Sequence, residues 1–190
     1  MRYSIMGPGW IDNMASIRFK TNRGFTLIEL SIVLGLMAIV AAFAIPVLSD
    51  SMRGMQLISD ARKIATTMSY AKLSATTQMT SYRLSFDLDN NQWSLLKRHR
   101  ISGDFELQQA VNRLSDGVAD SGIAFKDDSE SAPAGFPTDS ATAITFNTRG
   151  IPNGISIVYL SNEDTDYAVS VSLAGKVQIW RFRDNQWVPV

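Results

Sequence analysis

From Phe25 to Ile45 the chain reads FTLIELSIVLGLMAIVAAFAI, an apolar run whose only formal charge is Glu29. A run of about 20 such residues is long enough to cross the hydrocarbon core of a bilayer as a helix. The rest of the chain must therefore fold as a domain attached to a membrane segment, or released from one. Arg18, Lys20 and Arg23 stand directly before the run, with Arg2 further back and only Asp12 against them. Cations on this flank predict a cytoplasmic N-terminus. Of the 18 basic and 18 acidic residues, 14 and 17 lie after residue 24. That mildly acidic body argues against bulk binding of nucleic acid.

The run admits three fates. As a secretory signal, Leu30 to Ala41 is its apolar core and Ala42-Phe43-Ala44 its small-x-small cleavage site. As a plain anchor it is never cut. In the third, the chain is cut between Gly24 and Phe25 on the cytoplasmic side, and the apolar segment stays with the mature protein. Glu29 separates them, because a carboxylate in an apolar segment is costly and neither a signal nor a plain anchor has a use for it. Gly24 suits a cut site, since a residue without Cβ lets the backbone lie close to a protease.

Gly24-Phe25-Thr26-Leu27-Ile28-Glu29-Leu30 resembles the type III signal of type IV pilins and type II secretion pseudopilins: glycine before the cut, phenylalanine after it, glutamate five residues into the mature chain. The resemblance implies a prepilin peptidase in the inner membrane that cuts after Gly24 and N-methylates Phe25. It also implies that Glu29 pairs with the new amine of a neighbouring subunit, and that Pro46 breaks the helix just past the apolar run. An unpaired buried carboxylate is expensive, so such a pair would set register as well as attraction. Gly35, Ala38, Ala41 and Ala42 either permit close helix packing or are ordinary membrane-helix composition. A leader of 24 residues is long for this family, and Met14 offers a shorter start, MASIRFKTNRG; the mature chain is the same for both.

After Pro46 the pattern predicts an amphipathic helix over 47–80. Ile58, Ala61, Ala65, Met68 and Lys72 form its inner row, led by Met55 and Leu57, with Asp60, Lys63, Thr67 and Ser74 opposite. Gly54 weakens the expectation of an unbroken helix there. From Ser81 the period changes to two. Tyr82, Leu84, Phe86 and Leu88 alternate with polar residues, Asp89 to Gln92 turn the chain, and Trp93 to Lys97 return as a hairpin. Phe105–Leu107 and Ile123–Phe125 are candidate strands, and DDSESAPAGFPTDS is a surface loop. Ala143–Phe146, Ile155–Leu160, Tyr167–Leu173 and Lys176–Phe182 are strands separated by turns at 149–154, 162–166 and 174–175. ITFNTRGIPNG, ISIVYL, YAVSVSL and AGKVQIWRFR, with SDARKIATTMSYAKLSATTQ before the hairpin, resemble the GspH/FimT group of minor pilins and pseudopilins.

Chemistry-bearing residues are few. The chain has no cysteine, which excludes a disulfide framework, a thiolate metal site and a lipidated cysteine. No Gly-Lys-Ser/Thr phosphate loop is present, so this is not an assembly motor. The single histidine, His99, lies in Lys97-Arg98-His99-Arg100 with no carboxylate or nucleophile beside it. Asp87-x-Asp89-x-Asn91 starts like a calcium loop, but Gln92 replaces the needed glycine and Arg98 the closing glutamate. That stretch, the turn Glu163-Asp164-Thr165-Asp166 and the group Asp127, Asp128 and Glu130 are expected to be solvated turns and loops. Lys176, Arg181 and Arg183 are candidate DNA contacts, with Trp180 and Phe182 on the opposite strand face.

The expected fold class is therefore α+β and pilin-like: a long N-terminal helix packed on a C-terminal antiparallel β-sheet domain. Its segments are a leader (1–24), a membrane and assembly helix (25–46), an amphipathic helix (47–80) and a β-rich domain (81–190). The expected function is a non-enzymatic minor subunit, at or near the tip of a type II secretion pseudopilus or a type IV pilus. It is single-pass in the bacterial inner membrane, with the domain outside the cytoplasm. Its partners are prepilin peptidase, other pilins and inner-membrane lipid, with no cofactor and no metal. The alternatives are a DNA-binding minor pilin of a competence pilus and an uncleaved, membrane-anchored binding protein.

Overall fold

The structure is a computed structural model that describes residues 25–115, 122–162 and 164–190, and only the backbone helix at 45–51 and 53. The chain divides into two compact units, Met1–Phe43 and Ala44–Val190. One helix, α1, runs over Leu27–Thr77, 51 residues, and belongs in part to each. Pro46 therefore does not break the helix, contrary to the sequence expectation, and Gly54 does not interrupt it. Proline removes one backbone donor and crowds one carbonyl. The turns on either side keep their own ladder, and apolar helices tolerate such a local loss.

In the Ala44–Val190 unit the buried row of α1 is Leu57, Ala61, Ile64, Met68, Ala71 and Ala75, spaced alternately by four and three residues as one helix face requires. Ile58, Ala65 and Lys72, expected at the centre, are only half-buried, and Asp60 and Ser74, expected outside, are buried. Half of the true row is alanine, so larger neighbours one position away carried the apparent period. Asp60 is fully buried because its carboxylate is satisfied. It accepts from the Ser115 N–H at 2.6 Å, the Ser115 hydroxyl at 2.9 Å and the Lys63 ammonium at 2.7 Å. A buried carboxylate is tolerated on such terms.

The strands form two antiparallel sheets of five. In the first, β1 (Tyr82–Asp87) pairs with β2 (Gln92–Arg98) and with β6 (Ala143–Phe146). The short β3 (Phe105–Leu107) and β4 (Asn112–Arg113) both line β2. The second sheet has the order β10-β9-β8-β7-β5, formed by β5 (Ala124–Lys126), β7 (Ser156–Ser161), β8 (Asp166–Val171), β9 (Val177–Arg183) and β10 (Gln186–Pro189). Strands β4 and β10 have no counterpart in the sequence reading. The α1 row, the inner faces of both sheets and Phe125 make one core. There Phe125 meets Phe86 and Trp93 edge-on, at centroid distances of 5.8 and 6.4 Å.

The second face of the β5–β10 sheet is also covered. Ile157, Tyr159 and Ala168 pack with Trp180, Trp187 and Phe136, so the expected surface loop contributes Phe136 as a lid over the sheet. The Tyr159 hydroxyl donates to the Pro137 carbonyl at 2.8 Å. Burial, and secondly the Asp139 carboxylate, push the Tyr159 pKa from 10.0 up to about 12. The unfolded chain releases this proton near pH 10 and the folded chain only near pH 12. Its contribution to stability is thus complete below pH 10 and is lost as pH rises towards 12. Melting curves of wild type are expected to fall over this window, with Tyr159→Phe showing a shallower fall after losing about 1 kcal/mol at neutral pH. An equally steep fall in the variant would assign the alkaline loss to other groups.

Candidate functional site

The start of α1 is built by a capping pattern. The Thr26 hydroxyl accepts from the Glu29 N–H at 3.2 Å, and the Thr26 carbonyl from the Leu30 N–H at 3.1 Å. Thr-x-x-Glu is the residue order of a capping box, a signal carried by the sequence itself. It puts Glu29 in the first turn of the helix, where the helix dipole favours a carboxylate. Every described side chain from Phe25 to Ala44 is exposed. The 18 residues Leu27–Ala44 are apolar enough to cross a membrane and at about 1.5 Å per residue span about 27 Å. A continuous apolar surface of that size needs lipid or protein against it. Gly24 lies outside the described residues.

The folded unit is tied together at the last turns of α1. The Lys72 ammonium donates to the Gly175 carbonyl at 2.8 Å. Gly175, in the β8–β9 turn, has φ +71°, and a Cβ there would lie 2.9 Å from the Gly150 carbonyl oxygen and 3.1 Å from the Lys72 side chain. Gly150, in the β6–β7 turn, has φ +72°, and its Cβ would lie 2.9 Å from Thr76 Cγ2. Both positions need the left-handed backbone and the space that only glycine provides. The Asn147 side chain shapes the second turn by accepting from the Arg149 and Ile151 N–H groups at 2.9 and 3.1 Å. ITFNTRGIPNG and AGKV thus meet on the helix.

Two family profiles match the chain. "Type II transport protein GspH" matches residues 60–175, and "Prokaryotic N-terminal methylation motif" matches residues 19–45. The chain belongs to the GspH family. Its members are structural pseudopilins and pilins, and a GspH-family chain with this motif is a minor pseudopilin or minor pilin in kind. The chain is similar in structure to the minor pseudopilin EpsH of the Vibrio cholerae type 2 secretion system, at 13% identity and TM-score 0.49, over 65% of this chain and 95% of that one. It is also similar to the Pseudomonas aeruginosa type IV minor pilin FimU, at 18% identity and TM-score 0.48, over 70% of this chain and 92% of that one. The assignment rests on the matched spans and not on these likenesses. No curated protein matches.

In the Ala44–Val190 unit the remaining candidates separate. Arg181 and Arg183 are exposed on β9, and Trp180 and Phe182 are half-buried on the other face, as the alternation predicts. Arg181 lies 5.9 Å from the Tyr167 ring centre, and Arg183 Nε is 3.5 Å from the Asp184 carboxylate. Lys176 stands seven residues before Arg183, about 23 Å along an extended strand. Lys176 sits in the turn before β9 while Arg181 and Arg183 lie near the strand's far end, so the three cations do not converge. His99 Nδ1 accepts from the Ser102 N–H at 3.2 Å, within the β2–β3 turn. Asp87 accepts from the Asn90 N–H at 3.1 Å, and Asn162 from Asp164 and Thr165. These side chains shape their own turns. Glu163 lies outside the described residues, among which no His, Asp and Glu group forms a metal-ligand set.

Proposed function

We propose that this chain is a non-catalytic minor subunit of a type II secretion pseudopilus or a type IV pilus, placed at or near its tip. It is inserted once in the inner membrane, with the Ala44–Val190 unit outside the cytoplasm. Prepilin peptidase cuts it after Gly24 and N-methylates Phe25, and other pilins and membrane lipid cover the apolar helix. Glu29 receives the N-terminal amine of a neighbouring subunit. The observation that carries this reading is the wholly exposed apolar span beginning directly after Gly24, with a single carboxylate held in its first helical turn. A secretory signal would be discarded and needs no Glu29, and a plain anchor gains nothing from an N-terminus freed at Phe25. Mass spectrometry of the mature chain tests the cut. N-methyl-Phe25 at the terminus is expected, whereas a chain starting at Ile45 would assign the segment to an ordinary signal. DNA uptake is the weaker second reading, because Lys176 in the β8–β9 turn does not converge with Arg181 and Arg183 on β9.

A further inference from the structure

Besides the two-residue β4, four strands stand at the edges of the two sheets, β3 and β6 in one and β5 and β10 in the other. An open edge offers a row of unpaired N–H and C=O groups to any extended chain. Three of these four edges are blunted. On β6 the Thr145 N–H donates to the Asn153 side chain at 3.0 Å, and the Thr145 carbonyl accepts from the Asn153 N–H at 2.8 Å. On β5 the Phe125 N–H donates to the Asn91 side chain at 2.8 Å, and just beyond it the Asp127 carbonyl accepts from the Ser140 N–H at 2.6 Å. On β10 the Val190 N–H donates to the Ile179 carbonyl of β9 at 3.0 Å. The alternation then turns Trp187 and Pro189 outward, and proline has no N–H to offer.

The β3 edge is left open. The His99 N–H donates to the Asp104 carbonyl at 2.7 Å, and the Gln108 N–H to the Leu95 carbonyl at 2.8 Å. In an antiparallel ladder this makes 104, 106 and 108 the residues bonded to β2, and turns the N–H and C=O groups of Phe105 and Leu107 outward. Those groups take no partner among the described residues. Leu107 is 55% exposed. Phe105 is half-buried, with the Arg83 guanidinium 3.9 Å from its ring centre, so the strand is held in place while its edge stays free. Glu106 and Gln108, at the alternate positions, line a groove of about 480 Å³ together with Gln78, Lys97 and Ile101 among others. Lys97 is fixed there by donating to the Gln78 side chain at 2.6 Å.

We propose that β3 receives an extended strand of a different subunit, which joins the sheet through hydrogen bonds to Phe105 and Leu107. Main-chain bonds supply the attraction in such an addition, and side chains at alternate positions select the partner. The incoming strand carries apolar residues beside Phe105 and Leu107. Between them, opposite Glu106 and directed into the groove, it carries a residue that is not acidic. A second copy of the chain fits less well. The antiparallel register that uses Phe105 and Leu107 of both copies sets Glu106 opposite Glu106, and like charges directly opposite are destabilising. This deepens the filament reading by naming a docking edge and the kind of segment it takes, and it rests on that reading.

Full-length chain with a photo-reactive benzoylphenylalanine in place of Gln108 is illuminated in cells that assemble filaments. The expected product is a cross-link to a different pilin-like chain, mapped by peptide mass spectrometry to one extended segment of that chain. Leu107→Pro removes an outward N–H that β2 does not use, and is expected to cut the yield about tenfold. Leu107→Lys keeps the N–H but charges the apolar position and should cut it as well, whereas Leu107→Val keeps both and should not. Melting curves of the purified variants report the fold, and where Leu107→Pro lowers the midpoint, Leu107→Lys decides. A cross-link to a second copy, or equal yields from Leu107→Lys and Leu107→Val, would overturn the proposal. A chain found in sheared filaments with N-methyl-Phe25 but giving no cross-link overturns this proposal alone. A chain absent from filaments overturns the filament reading with it.

Discussion

Gly175→Ala is expected to destabilise the Ala44–Val190 unit by about 2–3 kcal/mol, the sum of a left-handed backbone forced on a residue with Cβ and local strain. The cause is specific. The new methyl would stand 2.9 Å from the Gly150 carbonyl oxygen, which is backbone, and 3.1 Å from the Lys72 side chain that bonds the Gly175 carbonyl. Relieving the contact moves one turn off the other or displaces Lys72 from α1. Two companions separate these effects. Gly154→Ala, with no atom within 4 Å of its Cβ and no left-handed φ, is expected to be nearly neutral. Lys72→Met keeps the aliphatic stem and loses the 2.8 Å hydrogen bond, costing about 1 kcal/mol. Denaturant midpoints of the three variants check the order, and a Gly175→Ala midpoint equal to that of Gly154→Ala would remove this junction from the account.

The second large effect concerns assembly and not folding. Glu29→Ala is expected to leave the chain in the membrane at normal levels yet nearly absent from sheared filaments. The Thr26 hydroxyl still caps the helix through the residue 29 N–H, and removing a charge from an apolar segment eases insertion. A subunit amine buried in the filament without its carboxylate costs about 3–5 kcal/mol, on the order of a hundredfold or more in occupancy. Glu29→Gln keeps the shape and the capping order but not the charge, so it should fail alike. Normal incorporation of Glu29→Gln would reduce Glu29 to a helix-capping residue.

Strong short-range periods were legible in the sequence. The alternation over Tyr82–Leu88 and Trp93–Lys97 became β1 and β2, and the three apolar runs after Gly154 became β7, β8 and β9. The apolar span was legible because length and composition alone define it. What escaped depends on distant partners. Asp60 looks like a surface residue until Ser115, 55 positions away, donates to it. The division into two sheets turns on pairings such as β5 with β7, which no local pattern encodes. Ala61 and Met68 were placed correctly, but the alanines of α1 weakened the period enough to put Ile58, Ala65 and Lys72 where Leu57, Ile64 and Ala71 stand. The break at Pro46 was implied by the family resemblance, whereas α1 runs through that position. At the candidate site, the roles of Gly24, Phe25 and Glu29 came from family resemblance, whereas the Thr26 cap was available from residue order alone.

The central claim is that the segment beginning at Phe25 is kept and used to build a filament. Sheared filaments from cells expressing the wild-type chain, mapped by peptide mass spectrometry, test it most directly. The account predicts this chain among the filament subunits, with N-methyl-Phe25 as its first residue. Recovery of the chain only from membranes, or in a form still carrying Arg23-Gly24 ahead of Phe25, would contradict it.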